Sequence, residues 1–400
     1  MAPVLRKALK DTPVVVLTGM RQTGKSTMLL RQPELRKRRY VTLDDFETLE
    51  EARRNPEALA DSREDITIDE VQRCPELLIA IKRAVDRKRV PGRFLLSGSA
   101  NFSLLKGVSE SLAGRSLYLR MHPLNMRERR DKSGGLPFLA AMFREGRPPS
   151  KSGVEPVPLQ DVLVGGMPAV ALKIARDPAS WFRGYEQTYL ERDVRSLSQV
   201  ADLSSFRLLL RLASLRSGKI LQVSELARDA KLPASTADRY LGLMETSFVA
   251  SRIGPFLSNK SSRLIKSPKL FIGDSGLAAY LAGFGKAGPG GDESFRGALY
   301  ETWAAQNLSA ILEAHMPEAR MHFWSVQGRY EVDFIVEEGA DTMAIEIKAG
   351  NRWRDRDLSG LKAFLSSTPG CRAGILVHNG REVSHLGDKL WAIPLALFFS

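Results

Sequence analysis

The chain has little cysteine, no long apolar run and no internal repeat. Its two cysteines, Cys74 and Cys371, exclude a disulfide framework and a cysteine-based metal site. No stretch approaches the run of apolar residues needed to span a bilayer. The opening residues, MAPVLRKALKDTPVVVLTG, lack the apolar centre and small-residue cleavage site of a signal peptide. A cytoplasmic protein with no membrane partner is expected. What the chain does have is length, 400 residues, enough for two or three domains. It also has positive charge, a net +13. A basic balance favours polyanions through counterion release. Lysine and arginine are scattered along the chain, with clusters at RQPELRKRR (31–39) and KRAVDRKRVPGR (82–93).

Two breaks in composition organise the rest. REGRPPSKSGVEPVP (144–158) is rich in Pro, Gly and Ser and reads as a linker, and GFGKAGPGGDESF (283–295) is a weaker break. The expected parts are residues 1–143, the linker 144–158, a helical region 159–282 and a C-terminal part 283–400.

The strongest signal is VVVLTGMRQTGKSTMLL. Val14 to Thr18 form a β-branched run of the kind found in buried parallel strands. Gly19, four residues, then Gly24, Lys25 and Ser26 follow, which is the phosphate-loop spacing. Glycines there let backbone N–H groups wrap an anion. Gly19, Gly24, Lys25, Ser26 and Thr27 are therefore the expected nucleotide-binding set. Lys25 would reach the β- and γ-phosphates of ATP, and Ser26 would bind Mg²⁺. DITIDEVQRCPEL then reads as a strand ending in Asp69 and Glu70, at the edge where parallel α/β sheets bind ligands. Asp69 would hold Mg²⁺ and Glu70 would act as general base on the attacking water. At the end of a third strand, RFLLSGSANF, Ser99 or Asn101 could sense the γ-phosphate or orient that water. Arg115, in a Gly-Arg turn, is a candidate arginine finger for a neighbouring subunit; the plainer reading is a surface arginine. Asp44 and Asp45 in YVTLDDFETLEE read as caps for the helix that follows, more than as Mg²⁺ ligands.

With YVTLDD, ITIDEVQ, FLLSGSANF and SLAGR before PLN, the phosphate loop resembles a prokaryotic AAA+-type P-loop ATPase family. VGGMPAV, YLERDV and SPKLFIGDSGLAAYL continue the resemblance along nearly the whole chain, with Asn125 where a serine is common. In that family the ATPase domain is joined to a C-terminal domain of long-unknown function that is similar to restriction-endonuclease-like folds. The resemblance implies ATP binding and hydrolysis and leaves the physiological target open. The expected fold is α/β: an N-terminal P-loop NTPase sheet of AAA+ type, a winged-helix middle and a nuclease-like end.

In the middle, Phe206, Leu209, Leu210 and Leu212 give one apolar helix face. QVSELARDA has Ser224 as its candidate N-cap, with Leu226 and Ala227 inward. ASTADRYLGLMETSF places Ala237, Tyr240, Leu241 and Met244 on one side, and VASRI reads as a strand. Helix, helix, break, helix, strand is a winged helix-turn-helix pattern. The helix that would enter a groove offers Ser235, Thr236, Asp238 and Arg239, a poor surface for reading bases. Lys260, Arg263, Lys266 and Lys269 beyond it could contact phosphates; a protein-binding or interdomain role is the alternative. Glu191, Arg192 and Asp193 in YLERDV read as a solvated or interface face, with Arg192 a second candidate finger.

In the last part, a helix carrying Glu301 precedes the strands MHFWSV, EVDFIVE and TMAIEIKAG, then the helix DLSGLKAFLSS and the strand AGILVHNG. Asp333 lies on the second strand, and Glu346 and Lys348 share a face of the third because side chains alternate. This α-β-β-β-α-β order, with Asp followed by Glu-x-Lys, resembles the PD-(D/E)xK nuclease superfamily. In such a site Asp333, Glu346 and Glu301 would hold a divalent metal, and Lys348 would orient or deprotonate a water. Charged strands facing solvent, or a binding-only member, are the alternatives. Trp353 between Arg352, Arg354 and Arg356 could clamp nucleic acid or form a solvated turn. The leading expectation is an ATP- and Mg²⁺-dependent ATPase acting on or regulated by DNA, as a homo-oligomer, with a ring as one form of it. The rivals are a nucleotide-dependent switch with a protein partner and an inert C-terminal module, and an ATP-controlled nuclease.

Overall fold

The computed structural model describes residues 1–62, 64–99, 112–148, 153–195, 202–257, 266–284, 293–326 and 329–400. Asn101, Lys260 and Arg263 lie outside the described residues. The chain divides into two units, Met1–His122 with Leu243–Val249, and Pro123–Gly242 with Ala250–Ser400. No helix among the described residues is long and apolar enough to cross a membrane.

The first unit is built on a parallel sheet of five strands: β1 (Val14–Thr18), β2 (Arg39–Thr42), β3 (Ile66–Asp69), β4 (Phe94–Gly98) and β5 (Ser116–Arg120), in the order β2-β3-β4-β1-β5. The β-branched run of β1 is buried along its whole length, as a strand covered on both faces must be. Because side chains alternate, Val14 and Val16 join one core with Ile66, Ile68, Phe94 and Leu96, beneath Leu77, Leu78 and Ile81 of the helix Pro75–Arg87. Val15 and Leu17 join a second core with Leu5, Met28 and Leu29 on the other face. All five strands run the same way, so the residues after β1, β3 and β4 meet at one edge. Asp45 caps the helix Phe46–Arg54 by accepting the Thr48 N–H at 2.9 Å, while Asp44 pairs with Arg73 at 2.8 Å.

In the second unit the helices Leu203–Leu215 and Val223–Asp229, and the helix Ala234–Thr246, whose residues from Leu243 on belong to the first unit, precede a hairpin of β6 (Ala250–Ile253) and β7 (Lys269–Ile272). Phe206, Leu209 and Leu210 are buried, with Ala213 and Ser214 beside them. The helix at Val223 begins one residue before the expected cap. Gln222 is its N-cap residue and Ser224 sits inside the first turn. The helix Glu293–His315 packs against a six-stranded sheet. Its strands are β8 (Arg320–Val326), β9 (Tyr330–Glu338), β10 (Asp341–Lys348), β11 (Cys371–His378), β12 (Ser384–Gly387) and β13 (Leu390–Pro394), in the order β12-β13-β11-β10-β9-β8. The helix Ser359–Ser367 lies between β10 and β11 in sequence, which lets those two strands run parallel.

Two of the quoted motifs meet inside this unit. Asp274 of GDSGL is fully buried and caps the helix Ser275–Leu281 through the Leu277 N–H at 2.8 Å. Its other oxygen accepts the Gly166 N–H of VGGMP at 2.6 Å. Gly165 has φ +68, and a Cβ there would lie 2.4 Å from Asp274 Oδ1; a side chain would push the two segments apart. Asn125 forms a capping box with Glu128 on the helix Met126–Arg129, a cap as competent as serine.

Candidate functional site

The edge of the parallel sheet after β1, β3 and β4 gathers most of the expected nucleotide site. Gly19 leaves β1 with φ +146, and a Cβ on it would stand 2.2 Å from the Met121 carbonyl oxygen. That carbonyl cannot simply yield, because the Met121 N–H is bonded to the Thr18 carbonyl at 2.7 Å. The chain then turns through Gly24 into the helix Lys25–Arg31. Lys25 is 5 % exposed. Its ammonium donates to the carbonyls of Gly19 at 2.8 Å and Met20 at 2.9 Å, tying the loop onto itself. Ser26 and Thr27 are exposed on the first turn.

Asp69 ends β3 and is buried. Its Oδ2 accepts the Tyr40 hydroxyl at 2.8 Å and its Oδ1 the Glu70 N–H at 3.1 Å. The second bond helps hold Glu70 at φ 57, a left-handed conformation rare for a side chain of this size. Burial raises the Glu70 pKa, against the pull of the nearby Lys25 ammonium; the Asp69 carboxylate raises it further and Arg21 lowers it. Gln72 donates from one amide nitrogen to Glu70 Oε2 and, at 3.3 Å, to Ser99 Oγ. Ser99 and Glu70 are thereby joined through a residue that sequence reasoning passed over, although it stands two positions after Glu70. Tyr40 was likewise overlooked.

Ser26 and Asp69 together offer a hydroxyl and a carboxylate. These are hard oxygen donors suited to Mg²⁺, which keeps waters and phosphates for its remaining positions. Asp69 keeps lone pairs beyond its two hydrogen bonds, so the donor set fits that ion.

Arg115 is not part of this cluster. Its carbonyl accepts the Val14 N–H at 3.3 Å, which places it where β1 and β5 begin. The five residues of β1 separate it from the phosphate loop, about 17 Å at roughly 3.3 Å per residue. Its guanidinium is paired with Asp86 at 2.5 and 3.0 Å. Arg192 is exposed in a π-helical turn, Tyr189–Val194, beside buried Asp193.

The C-terminal residues converge differently from expectation. Asp333 is buried on β9, and its Oδ2 accepts the Ile347 N–H of β10 at 2.9 Å. Lys348 pairs with Glu346 at 3.0 Å on the same face of β10. Glu301 comes near enough to Asp333 and Glu346 that burial, then those carboxylates, hold its pKa well above the ordinary range. Burial and Asp333 raise Glu346 as well.

The unexpected member is Lys269. Read from sequence as a phosphate contact of the wing, it is 2 % exposed. Its ammonium lies 2.5 Å from Glu331 and 3.4 Å from Asp333. Burial pulls the Lys269 pKa down, but Asp333, Glu301 and Glu331 outweigh it and leave it raised. Among the described residues no group of three or more His, Cys, Asp or Glu side chains is placed to hold a metal ion. Asp333 does not fit a divalent metal as it stands, because Lys269 takes one of its oxygens and the Ile347 N–H the other; Lys348 holds Glu346 Oε1, while Glu346 Oε2 is buried without a hydrogen-bond partner. Trp353 packs against the C-terminal core, while Arg352, Arg354 and Arg356 are exposed.

Comparison with known proteins places these features in a family. The model of an AAA domain matches residues 11–129. Two domains of unknown function match residues 159–288 (DUF8612) and 296–398 (DUF4143). The chain is similar to the uncharacterized proteins Rv2008c of Mycobacterium tuberculosis and Mb2031c of Mycobacterium bovis. Each is 31% identical over 397 residues, covering 98% of this chain and 82% of the relative. Among solved structures, the Walker-type ATPase PABY2304 of Pyrococcus abyssi is 15% identical, covering 70% of this chain and 94% of its own, with a TM-score of 0.40. The RuvB Holliday junction branch migration motor of Thermotoga maritima is 16% identical, covering 66% and 93%, with a TM-score of 0.29. Both TM-scores are low. On identity and coverage, the chain belongs to the family of Rv2008c and Mb2031c, and its N-terminal part is an AAA-type P-loop ATPase domain.

Proposed function

We propose that the chain is a Mg²⁺-dependent ATPase that acts on, or is regulated by, DNA and works as a homo-oligomer. The observation that carries the catalytic part is the meeting of Lys25, Asp69, Glu70 and Ser99 at one edge of the parallel sheet. Lys25 exchanges the Gly19 and Met20 carbonyls for the β- and γ-phosphates of ATP. The loop N–H groups between Gly19 and Gly24, with Thr27, hold the rest of the phosphate chain. Ser26 and Asp69 would hold Mg²⁺, which would supply positive charge to offset that of the phosphates. Glu70 takes the proton of the attacking water, and Ser99, linked to it by Gln72, orients that water. Arg115, far from its own chain's phosphate loop, serves a neighbouring copy.

The DNA part rests on the net charge of +13 and on counterion release. Its test is steady-state ATP turnover with and without duplex DNA at low and raised salt. Stimulation at low salt that fades as salt rises is expected; unchanged turnover at low salt rejects the DNA reading. The second reading, a nucleotide-dependent switch with a protein partner and an inert C-terminal module, is favoured by the lysine-paired carboxylates around Asp333. The same pairing counts against an ATP-controlled nuclease.

A further inference from the structure

Lys269 opens β7, on the hairpin that follows the three helices of the middle region. Its ammonium nevertheless reaches the carboxylates of β9. Four acidic side chains face this point: Glu301 from its helix, Glu331 and Asp333 from β9, and Glu346 from β10. Two ammonium groups answer them. Lys348 takes Glu346 Oε1 from the open side, with Asp357 at 3.9 Å. Lys269 takes Glu331 and Asp333 from the buried side and stands 5.6 Å from the centre of the Phe323 ring. Asp333 is then committed through both oxygens, one to Lys269 and one to the Ile347 N–H.

A divalent metal at this place would need the Asp333 oxygen that Lys269 holds. Like charges a few ångströms apart in a buried setting exclude one another, so metal and ammonium are alternatives. The lysine is the one built into the fold. It is anchored on a paired strand, with Lys269 opposite Ile253 of β6. The following residue is fixed on both sides, as the Leu270 carbonyl accepts the Gly218 N–H at 2.7 Å and the Leu270 N–H donates to the Lys219 carbonyl at 3.0 Å. The backbone that carries the lysine is thus fixed, and its ammonium is held by Glu331 and Asp333.

We propose that Lys269 is the resident cation of the Asp333 cluster. The cluster takes up no divalent metal and instead clamps the β6–β7 hairpin to the six-stranded sheet. Replacing the cation should turn the clamp into a metal site, since Asp333, Glu331 and Glu301 would be left facing one another with no positive charge between them.

The test uses the full-length, nucleotide-free protein and Mn²⁺ alone, read as the shift in thermal midpoint and as the number of ions bound by loss of the free Mn²⁺ resonance. For wild type and Asp333→Asn the same Mn²⁺ uptake is expected, because Asp333 holds none. For Lys269→Met a lowered midpoint is expected, partly restored by Mn²⁺, with about one additional ion bound that is lost again in Lys269→Met/Asp333→Asn. A wild-type Mn²⁺ ion that disappears in Asp333→Asn overturns the proposal, and this comparison stands even where Lys269→Met fails to fold. A folded Lys269→Met that gains no ion overturns it too, by showing that the cluster is no cation position. No part of the readout depends on ATP turnover, so the ATPase reading and this one fail separately.

Discussion

Replacing Glu70 by Gln isolates the step assigned to its carboxylate. Glutamine keeps the side chain's length and shape. The left-handed backbone is held by the Asp69 carboxylate on the residue's own N–H, which the substitution does not touch. Gln72 meets Glu70 through a donor, and the new amide can turn its oxygen to that donor. Folding stability should therefore change by about 1 kcal/mol or less, the net worth of one hydrogen bond. Proton acceptance is lost outright. General-base catalysis typically contributes about 10² to 10⁴ in rate, or roughly 3 to 5 kcal/mol of barrier at 1.36 kcal/mol per tenfold. Turnover of Glu70→Gln should fall by that factor, while Mg²⁺-ATP binding followed by fluorescent-nucleotide titration stays within about threefold. Hydrolysis at the wild-type rate in a folded Glu70→Gln would remove Glu70 from the mechanism.

Other substitutions probe the neighbouring claims. Gly19→Ala should cost about 2 to 6 kcal/mol in a urea melt. A strained φ of +146 contributes about 1 to 3, and a Cβ pressed on a pinned backbone carbonyl a similar amount; a loss under about 0.5 kcal/mol contradicts the close approach. Asp274→Ala strips a helix cap, about 1 kcal/mol, and leaves the buried Gly166 N–H without its acceptor, about 1 to 3 more. A thermal melt should show the sum, and a neutral variant refutes the bracket between the two motifs. Arg115→Ala should lower turnover by about 10³ if it supplies a finger, with nucleotide affinity retained. Mixing it with Glu70→Gln should restore turnover at interfaces that pair an intact Glu70 with an intact Arg115. No recovery in the mixture confines Arg115 to its Asp86 pair.

The phosphate-loop spacing and the AAA-type domain that carries it were legible because their signal is local. The spacing from Gly19 to Ser26 is itself a backbone geometry, and a strand that ends in Asp69, with Glu70 next, announces which edge it faces. Asp45 was legible for the same reason, a cap written next to its helix. Arg115 needed one further step, since a parallel strand that begins after it must start at the edge opposite the phosphate loop. Gln72 was written into ITIDEVQ, but its role depends on Ser99 lying across from it. Lys269 was not legible. In LIKSPKLFIG it looks like the last of a row of exposed cations. Its burial is decided by Glu331 and Asp333, more than sixty residues away, and no local pattern reports such a partner. The α-β-β-β-α-β order was readable from periodicity alone. That Asp333 would be answered by a lysine from another hairpin was not.

The most direct measurement is ATP turnover by purified wild-type protein and Lys25→Ala, each with Mg²⁺ and with excess EDTA. The account predicts phosphate release by wild type that requires Mg²⁺, and loss of that release in a folded Lys25→Ala. Equal, Mg²⁺-dependent release from the two proteins would place hydrolysis somewhere other than the loop between Gly19 and Ser26, and would contradict it.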